Sequence, residues 1–345
     1  MRYRKLGKTD VNVSVICLGT MTYGQQNTEA EGHEQLDYAI SKGINFIDTA
    51  EMYSVPGRPE TQGSTEKIIG SWLHKTGNRS KIILATKVTG PSPGLKYISA
   101  NLGFSKSRIL EAIEGSFRRL QTDYIDLYQM HWPERKTNYF GILGYTEHDN
   151  QWEDNFHESL ETMNDLIKEG KIRHWGLSNE TPWGVMRSCN IADSGIAPRP
   201  ASIQNPYSLL NRSFEIGLSE IAFREKVSLM AYSPMGFGLL SGKFHHKQDK
   251  PTDRINQFKN LSRYNSQLSF EATARYIEIA TEAGMTPAQL ALSFVNDRPF
   301  VTSNIIGATS MEQLKENIDS INITLSSETL KAIDQVHKEI SNPAP

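Results

Sequence analysis

Eight short runs rich in β-branched and aromatic residues recur along the chain, each followed by a stretch with helical periodicity. No other feature constrains the fold as strongly. The strand-like runs are 13–18, 44–48, 82–87, 124–131, 172–178, 201–204, 228–233 and 303–307. Helical stretches lie near 31–42, 65–75, 107–120, 155–169, 181–192, 214–225, 270–297 and 311–319. Strands joined through helices run parallel, and a parallel sheet must be covered on both faces. An open doubly wound sheet and a closed barrel both meet that demand. The barrel is favoured, because eight units is its number and closure leaves no edge. The expected architecture is therefore α/β, a (β/α)8 TIM barrel. With no composition shift to mark a boundary, it is expected as a single domain over residues 1–345.

Local signals add detail. Residues 3–12 read as a β-hairpin around a Gly7-Lys8-Thr9-Asp10 turn, and Ser326–Glu339 reads as an extra C-terminal helix. Ser64 and Ser107 stand ahead of acidic first turns, as helix starts do. Thr286-Pro287 is a cap followed by Pro at the first helical position, which splits the 270–297 stretch. Gly43 and Gly170 stand where helices should stop. The long connectors 54–63, 88–106, 132–154 and 234–269 all follow strands, so in a barrel they gather at the C-terminal face.

Composition narrows the function. Lys and Arg total 37 against 39 Asp and Glu, a formal charge of −2, which leaves no basic footprint for a nucleic acid. The two cysteines, Cys17 and Cys189, form no C-x-x-C pair, which suits a reducing compartment. The basic start lacks the apolar segment of a secretory signal, and no run approaches the ~20 apolar residues of a membrane span. A cytoplasmic protein without a membrane or nucleic-acid partner is expected.

Polar groups stand at three consecutive strand ends. The second strand runs into Asp48-Thr49-Ala50-Glu51-Met52-Tyr53, the third ends in Ala85-Thr86-Lys87, and the fourth in Tyr128-Gln129-Met130-His131-Trp132. Singly, each has a structural reading as a solvated strand end, a helix cap or a packing group. Together on a barrel, Asp48, Tyr53, Lys87 and His131 form a device for carbonyl reduction. A hydride added to a carbonyl carbon leaves an oxyanion that needs a proton. Tyr, with a free pKa of ~10, needs a nearby cation to donate near neutral pH. Lys87 supplies that charge, Asp48 holds Lys87, and His131 orients the carbonyl oxygen by a hydrogen bond.

The segment Gly43-Ile-Asn-Phe-Ile-Asp48-Thr-Ala-Glu-Met-Tyr53 resembles the signature of the aldo-keto reductase superfamily. So do Thr86-Lys87, Asp126-Leu-Tyr-Gln-Met-His131-Trp-Pro, Trp175-Gly-Leu-Ser178-Asn179, Gln204-Asn-Pro-Tyr, Ala231-Tyr232-Ser-Pro and Gly238-Leu-Leu-Ser-Gly-Lys243. Ile306-Gly307-Ala-Thr309 and Gln313-Leu-Lys-Glu316-Asn317 complete the set in family order. The spelling is nearest the branch that holds the voltage-gated potassium channel β-subunits. The resemblance implies a barrel that binds NADPH in extended form and reduces a small-molecule aldehyde or ketone. Tyr53 would be the proton donor, beside Asp48, Lys87 and His131. Ser178, Asn179 and Gln204 would hydrogen-bond the carboxamide, and Tyr232 would stack on the nicotinamide ring. Ser233, Pro234, Met235, Gly236, Gly238, Leu239, Ser241 and Lys243 would wrap the pyrophosphate, with Arg254 reaching its phosphates. Gly307, Thr309, Gln313, Glu316 and Asn317 would hold the adenosine end. Tyr23, Trp132 and the inserted loops would line the substrate pocket.

Gly307 and Gln313 stand where many members that prefer the phosphorylated cofactor carry Lys and Arg, and the 54–63 loop is longer than usual. The Gly236–Lys243 run fails as a dinucleotide fingerprint because its third Gly falls one position late, and as a P-loop because Phe237 takes the first Gly position. His245-His246 lacks a third ligand at metal spacing, so no metal is expected. The rival reading is a cofactor-occupied redox-sensing or regulatory subunit with slow turnover. A metal-dependent barrel hydrolase lacks the clustered ligands it would need.

Overall fold

The computed structural model describes residues 1–258 and 262–345. The expected 234–269 connector thus includes three residues, 259–261, outside those described. Strands β1 (Tyr3–Lys5) and β2 (Asn12–Ser14) pair as an antiparallel hairpin. Eight parallel strands follow: β3 (Ile16–Gly19), β4 (Phe46–Asp48), β5 (Ile83–Val88), β6 (Ile125–Met130), β7 (Ile172–Ser178), β8 (Ser202–Pro206), β9 (Ser228–Tyr232) and β10 (Val301–Ile306). They close in sequence order, with β10 pairing to both β9 and β3, so the chain folds as a (β/α)8 TIM barrel.

The helices are α1 (Glu29–Ser41), α2 (Ser64–Thr76), α3 (Lys106–Leu120), α4 (Phe156–Lys168), α5 (Pro182–Asp193) and α6 (Leu218–Glu225). After β9 come α7 (Arg254–Gln257), α8 (Gln267–Glu282) and α9 (Pro287–Asn296), and after β10 come α10 (Met311–Asp319) and α11 (Ser327–Glu339). None is long and apolar enough to cross a membrane among the described residues.

Four local expectations change. The first apolar run divides between the hairpin and the barrel, because the Ser14 hydroxyl turns back to the Ile16 carbonyl at 2.6 Å and ends β2. The 214–225 helix breaks at Gly217, whose φ of 87° no helix accommodates, leaving a short 3-10 turn and α6. Helix α2 has no side-chain cap: Gly63 precedes it with φ 72°, while the Ser64 hydroxyl donates to the Tyr23 carbonyl at 3.0 Å. Helix α3 is capped by Ser105 rather than Ser107, through Arg108 N–H. The Thr286 cap of α9 is as expected, closed reciprocally by Gln289.

Inside the barrel, Leu6 and Val13 of the hairpin share one apolar cluster with Cys17, Phe46, Ala85, Leu127 and Met230. The hairpin therefore plugs the N-terminal end, and the polar strand ends are left to the opposite face. Outside, the helices pack on the strands through a larger cluster around Trp72, Leu120 and Trp175. Helices α2 and α3 meet so closely that a Cβ on Gly70 would lie 2.1 Å from the Arg119 carbonyl oxygen.

Candidate active site

The register of the barrel brings three strand ends together. Asp48 at the end of β4 pairs with Ala85 of β5, and Lys87 of β5 pairs with Gln129 of β6. Lys87 is fully buried. Its ammonium donates to Asp48 Oδ2 and to the Thr49 carbonyl, both at 2.7 Å, and stands 3.5 Å from the Tyr53 hydroxyl. All three N–H groups are thus directed. The second carboxylate oxygen of Asp48 accepts from Gln204 Nε2 at 2.8 Å and Gln129 Nε2 at 3.3 Å. A carboxylate with so many donors is held rigidly, and the lysine with it.

The loop that carries Tyr53 is pinned by Glu51. Its buried carboxylate accepts from Thr89 N–H at 2.6 Å and from Arg108 at 2.5 Å, and Gln62 donates to its carbonyl at 2.6 Å. Thr89 lies just beyond Lys87, so Glu51 ties the tyrosine loop to the end of the lysine strand. His131 packs edge-on to Tyr53, ring centroids 5.7 Å apart, and against Trp132 at 4.8 Å. Trp132 is set by its indole N–H, which donates to the Pro91 carbonyl at 3.0 Å.

Burial raises the Tyr53 hydroxyl above its ordinary value, and the Lys87 charge opposes that rise. For Lys87, burial acts to remove the proton but is outweighed by Asp48 and Tyr53, so the ammonium is held above its ordinary value. Burial, aided by the Lys87 charge, drives His131 well below the usual imidazole range and keeps it neutral. His131 Nδ1 is buried without a hydrogen-bond partner among the described residues. With Nδ1 enclosed, Nε2 is the ring nitrogen left to meet a substrate, and a neutral imidazole carrying its proton there would act as a donor.

Tyr53, Asp48 and His131 line a cavity of about 910 Å³ at the C-terminal face. Its walls include Asn179, Gln204, Tyr232, Ser233, Pro234, Met235, Gly238, Ser241, Lys243 and Arg254. The far end adds Gly307, Thr309, Gln313, Glu316 and Asn317, and Trp132 lies on the near side. Lys87 sits behind Tyr53 rather than on the wall.

Other expected residues fall elsewhere. Tyr23 is not in the pocket wall: it is fully buried, its hydroxyl donating to Gln35 at 3.1 Å, because Gly32 of α1 leaves room for its ring. Ser178 is turned away from the cleft; its hydroxyl bonds the Gln204 carbonyl at 3.0 Å and accepts from Asn179 at 3.1 Å. Leu239 is buried in the core beneath the glycine-rich turn, and Gly236 lies against Leu210 and Tyr264. The Asn179 amide is engaged on both sides, by the Tyr232 hydroxyl at 2.6 Å and the His131 carbonyl at 2.8 Å.

Sequence reasoning passed over Gln129, Glu51, Arg108 and Asp253. Gln129 had a signal, as a lone amide in the apolar run Ile125-Asp-Leu-Tyr-Gln-Met130 beside the lysine strand. Asp253, which binds Lys243 at 2.5 Å, had none, since the two meet only through the fold of the connector. Among the described residues no group of three His, Cys, Asp or Glu side chains is placed to hold a metal.

Comparison with known proteins gives the chain a family. Residues 15–338 match the model of the aldo/keto reductase family. The chain is 48% identical to "Protein tas" of Escherichia coli over the full length of both. It is 33% identical to "Uncharacterized oxidoreductase YrpG" of Bacillus subtilis, covering 97% of this chain and 96% of that one. It is 28% identical to "Probable voltage-gated potassium channel subunit beta" of Arabidopsis thaliana, covering 97% and 96%. With its closed barrel and the polar cluster at its C-terminal face, the chain belongs to the aldo/keto reductase family and is an NAD(P)H-dependent oxidoreductase.

Proposed function

We propose that this protein, as one barrel domain over residues 1–345, reduces an aldehyde or ketone to an alcohol with NADPH, Tyr53 being the proton donor. The observation that carries the reading is the Lys87 ammonium, held by Asp48 and facing the Tyr53 hydroxyl beside His131. The cavity suits a dinucleotide. Arg254 is partly exposed and stacks on the Phe237 ring, but its Nε and Nη2 are enclosed without partners among the described residues, and desolvation lowers its pKa to about 10, which suits an incoming anion. At about 910 Å³ the cavity lies near the top of the ~300–1,000 Å³ range of cofactor and ligand sites.

A nicotinamide held in this cavity would supply a hydride to the carbonyl carbon. As the C=O electrons move to oxygen, His131 Nε2 donates a hydrogen bond that orients it, and Tyr53 transfers its proton. Lys87 stabilises the tyrosinate left behind, which regains a proton from solvent. Asp48 and Glu51 keep these groups in place. On the cofactor side, Tyr232 and Asn179 must exchange their mutual hydrogen bond for contacts to the nicotinamide end. Gln204 donates to Asp48, which leaves its carbonyl oxygen for the carboxamide. Lys243, Arg254 and the turn around Gly238 would meet the cofactor's phosphates, while Thr309, Gln313, Glu316 and Asn317 would meet its adenosine end. The charge balance and the two free, buried cysteines favour the cytoplasm.

The test is NADPH consumption with a panel of aldehydes, ketones and quinones, matched by stoichiometric alcohol or hydroquinone formation. The likeness to a potassium channel β-subunit supports a second reading, a cofactor-occupied sensing subunit. Tight NADPH binding with uniformly slow turnover across the panel would favour it.

A further inference from the structure

Lys243 is the only ammonium on the wall of the large cavity among the described residues, and it is not free. Its Nζ lies 2.5 Å from Asp253 Oδ1, with the two side chains only 23% and 15% exposed. Asp253 is fixed in turn: its Oδ2 accepts from Lys250 N–H at 2.7 Å. The neighbouring Thr252 carbonyl accepts from Gln26 across the cleft at 3.2 Å. The carboxylate therefore stays with the lysine rather than swinging into solvent.

The far wall, Gly307, Thr309, Gln313, Glu316 and Asn317, contributes no cation and one carboxylate, which binds the Thr286 hydroxyl at 2.6 Å. Over the whole cavity wall the cations are Lys243, Arg254 and Arg263, and the anions Asp48, Asp253 and Glu316. They cancel. A dinucleotide with an added phosphate monoester brings about −1.5 to −2 further charge near neutral pH. In partly buried surroundings such a charge is screened far less than in water. A neutral wall gives it no net attraction, and a wall with a net positive charge would.

We propose that Asp253, by neutralising Lys243, restrains this protein's preference for the phosphorylated over the unphosphorylated nicotinamide dinucleotide. The inference rests on the cofactor reading above. Asp253→Asn keeps the shape of the side chain and removes its charge, which leaves Lys243 to the ligand.

The experiment is titration calorimetry of wild type and Asp253→Asn with NADPH and with NADH, at two salt concentrations. The expected result is NADPH tightened by about ten-fold or more, with a steeper salt dependence, and NADH by no more than about three-fold. Adding Lys243→Met to Asp253→Asn should abolish the gain. Equal tightening of both ligands would confine Lys243 to a phosphate they share and overturn the proposal. Weakening of both, with an unchanged melting temperature, would make Asp253 a positioning residue for Lys243 and also overturn it. If Asp253→Asn melts early, Asp253→Ser repeats the comparison. Wild type that binds neither dinucleotide would instead refute the cofactor reading itself.

Discussion

Lys87 Nζ stands 3.5 Å from the Tyr53 hydroxyl oxygen, while its other two N–H groups are held at 2.7 Å by Asp48 and by the Thr49 carbonyl. The lysine is thus anchored on one side and longer than an ideal hydrogen bond on the other. Its action on the tyrosine is chiefly electrostatic, and it depends on Asp48.

Asp48→Asn should therefore cost both stability and rate. It strands a fully buried ammonium, a change worth about 3–5 kcal/mol. Because Lys87 is held above its ordinary value of 10.5, its contribution is fully present below pH 10.5 and is lost as pH rises through the higher folded value. Urea unfolding of wild type and variant should show a gap that is constant through neutral pH and narrows at strongly alkaline pH. A gap that closed between about pH 7 and 9 would contradict the assignment.

The pH profile of reduction follows from the same cluster. Tyr53 stays protonated through neutral pH because burial raises it, and His131 stays neutral because burial and Lys87 lower it. Reduction kcat/KM should be level between about pH 6 and 9, with any loss on the alkaline side as the tyrosine ionises. A fall centred near the ordinary imidazole value of 6.5 would mean that His131 titrates as an exposed group.

Much of this site was legible in the chain because barrel strands expose polar residues only at their ends. Asp48, Lys87 and His131 break apolar runs at three consecutive strand ends, and the βα alternation brings those ends together. What stayed hidden depends on side-chain direction and on loop folding. Tyr23 lies in a loop beside Met21 and Thr22, which do reach the cavity, and only the space above Gly32 explains why its ring turns the other way. Ser64 has the spacing of a helix cap, yet its hydroxyl is taken by a tertiary partner that no local pattern reveals. The Lys243–Asp253 pair closes a loop with no periodic signal at all.

Trp132 gives a substrate-side prediction. A Cβ on Gly90 would lie 2.5 Å from the Trp132 indole nitrogen and 2.7 Å from its carbonyl oxygen. Gly90→Ala should push the indole off its Pro91 bond, and KM for aromatic aldehydes should change several-fold while the NADPH Kd holds. An unchanged KM would remove Trp132 from the substrate wall.

Gly70 tests the helix layer far from the chemistry. Gly70→Ala forces α2 away from the Arg119 carbonyl, and overpacking of this kind costs about 1–3 kcal/mol. Denaturant titration should register that loss, with kcat close to wild type at temperatures where the variant remains folded.

The most direct test of the central claim compares wild type with Tyr53→Phe on the best carbonyl of a panel, following NADPH consumption, with cofactor binding measured in parallel. The account predicts unchanged NADPH affinity and a loss of turnover of about 100-fold or more. Turnover that survives the substitution at near wild-type rate would show that the proton comes from another group.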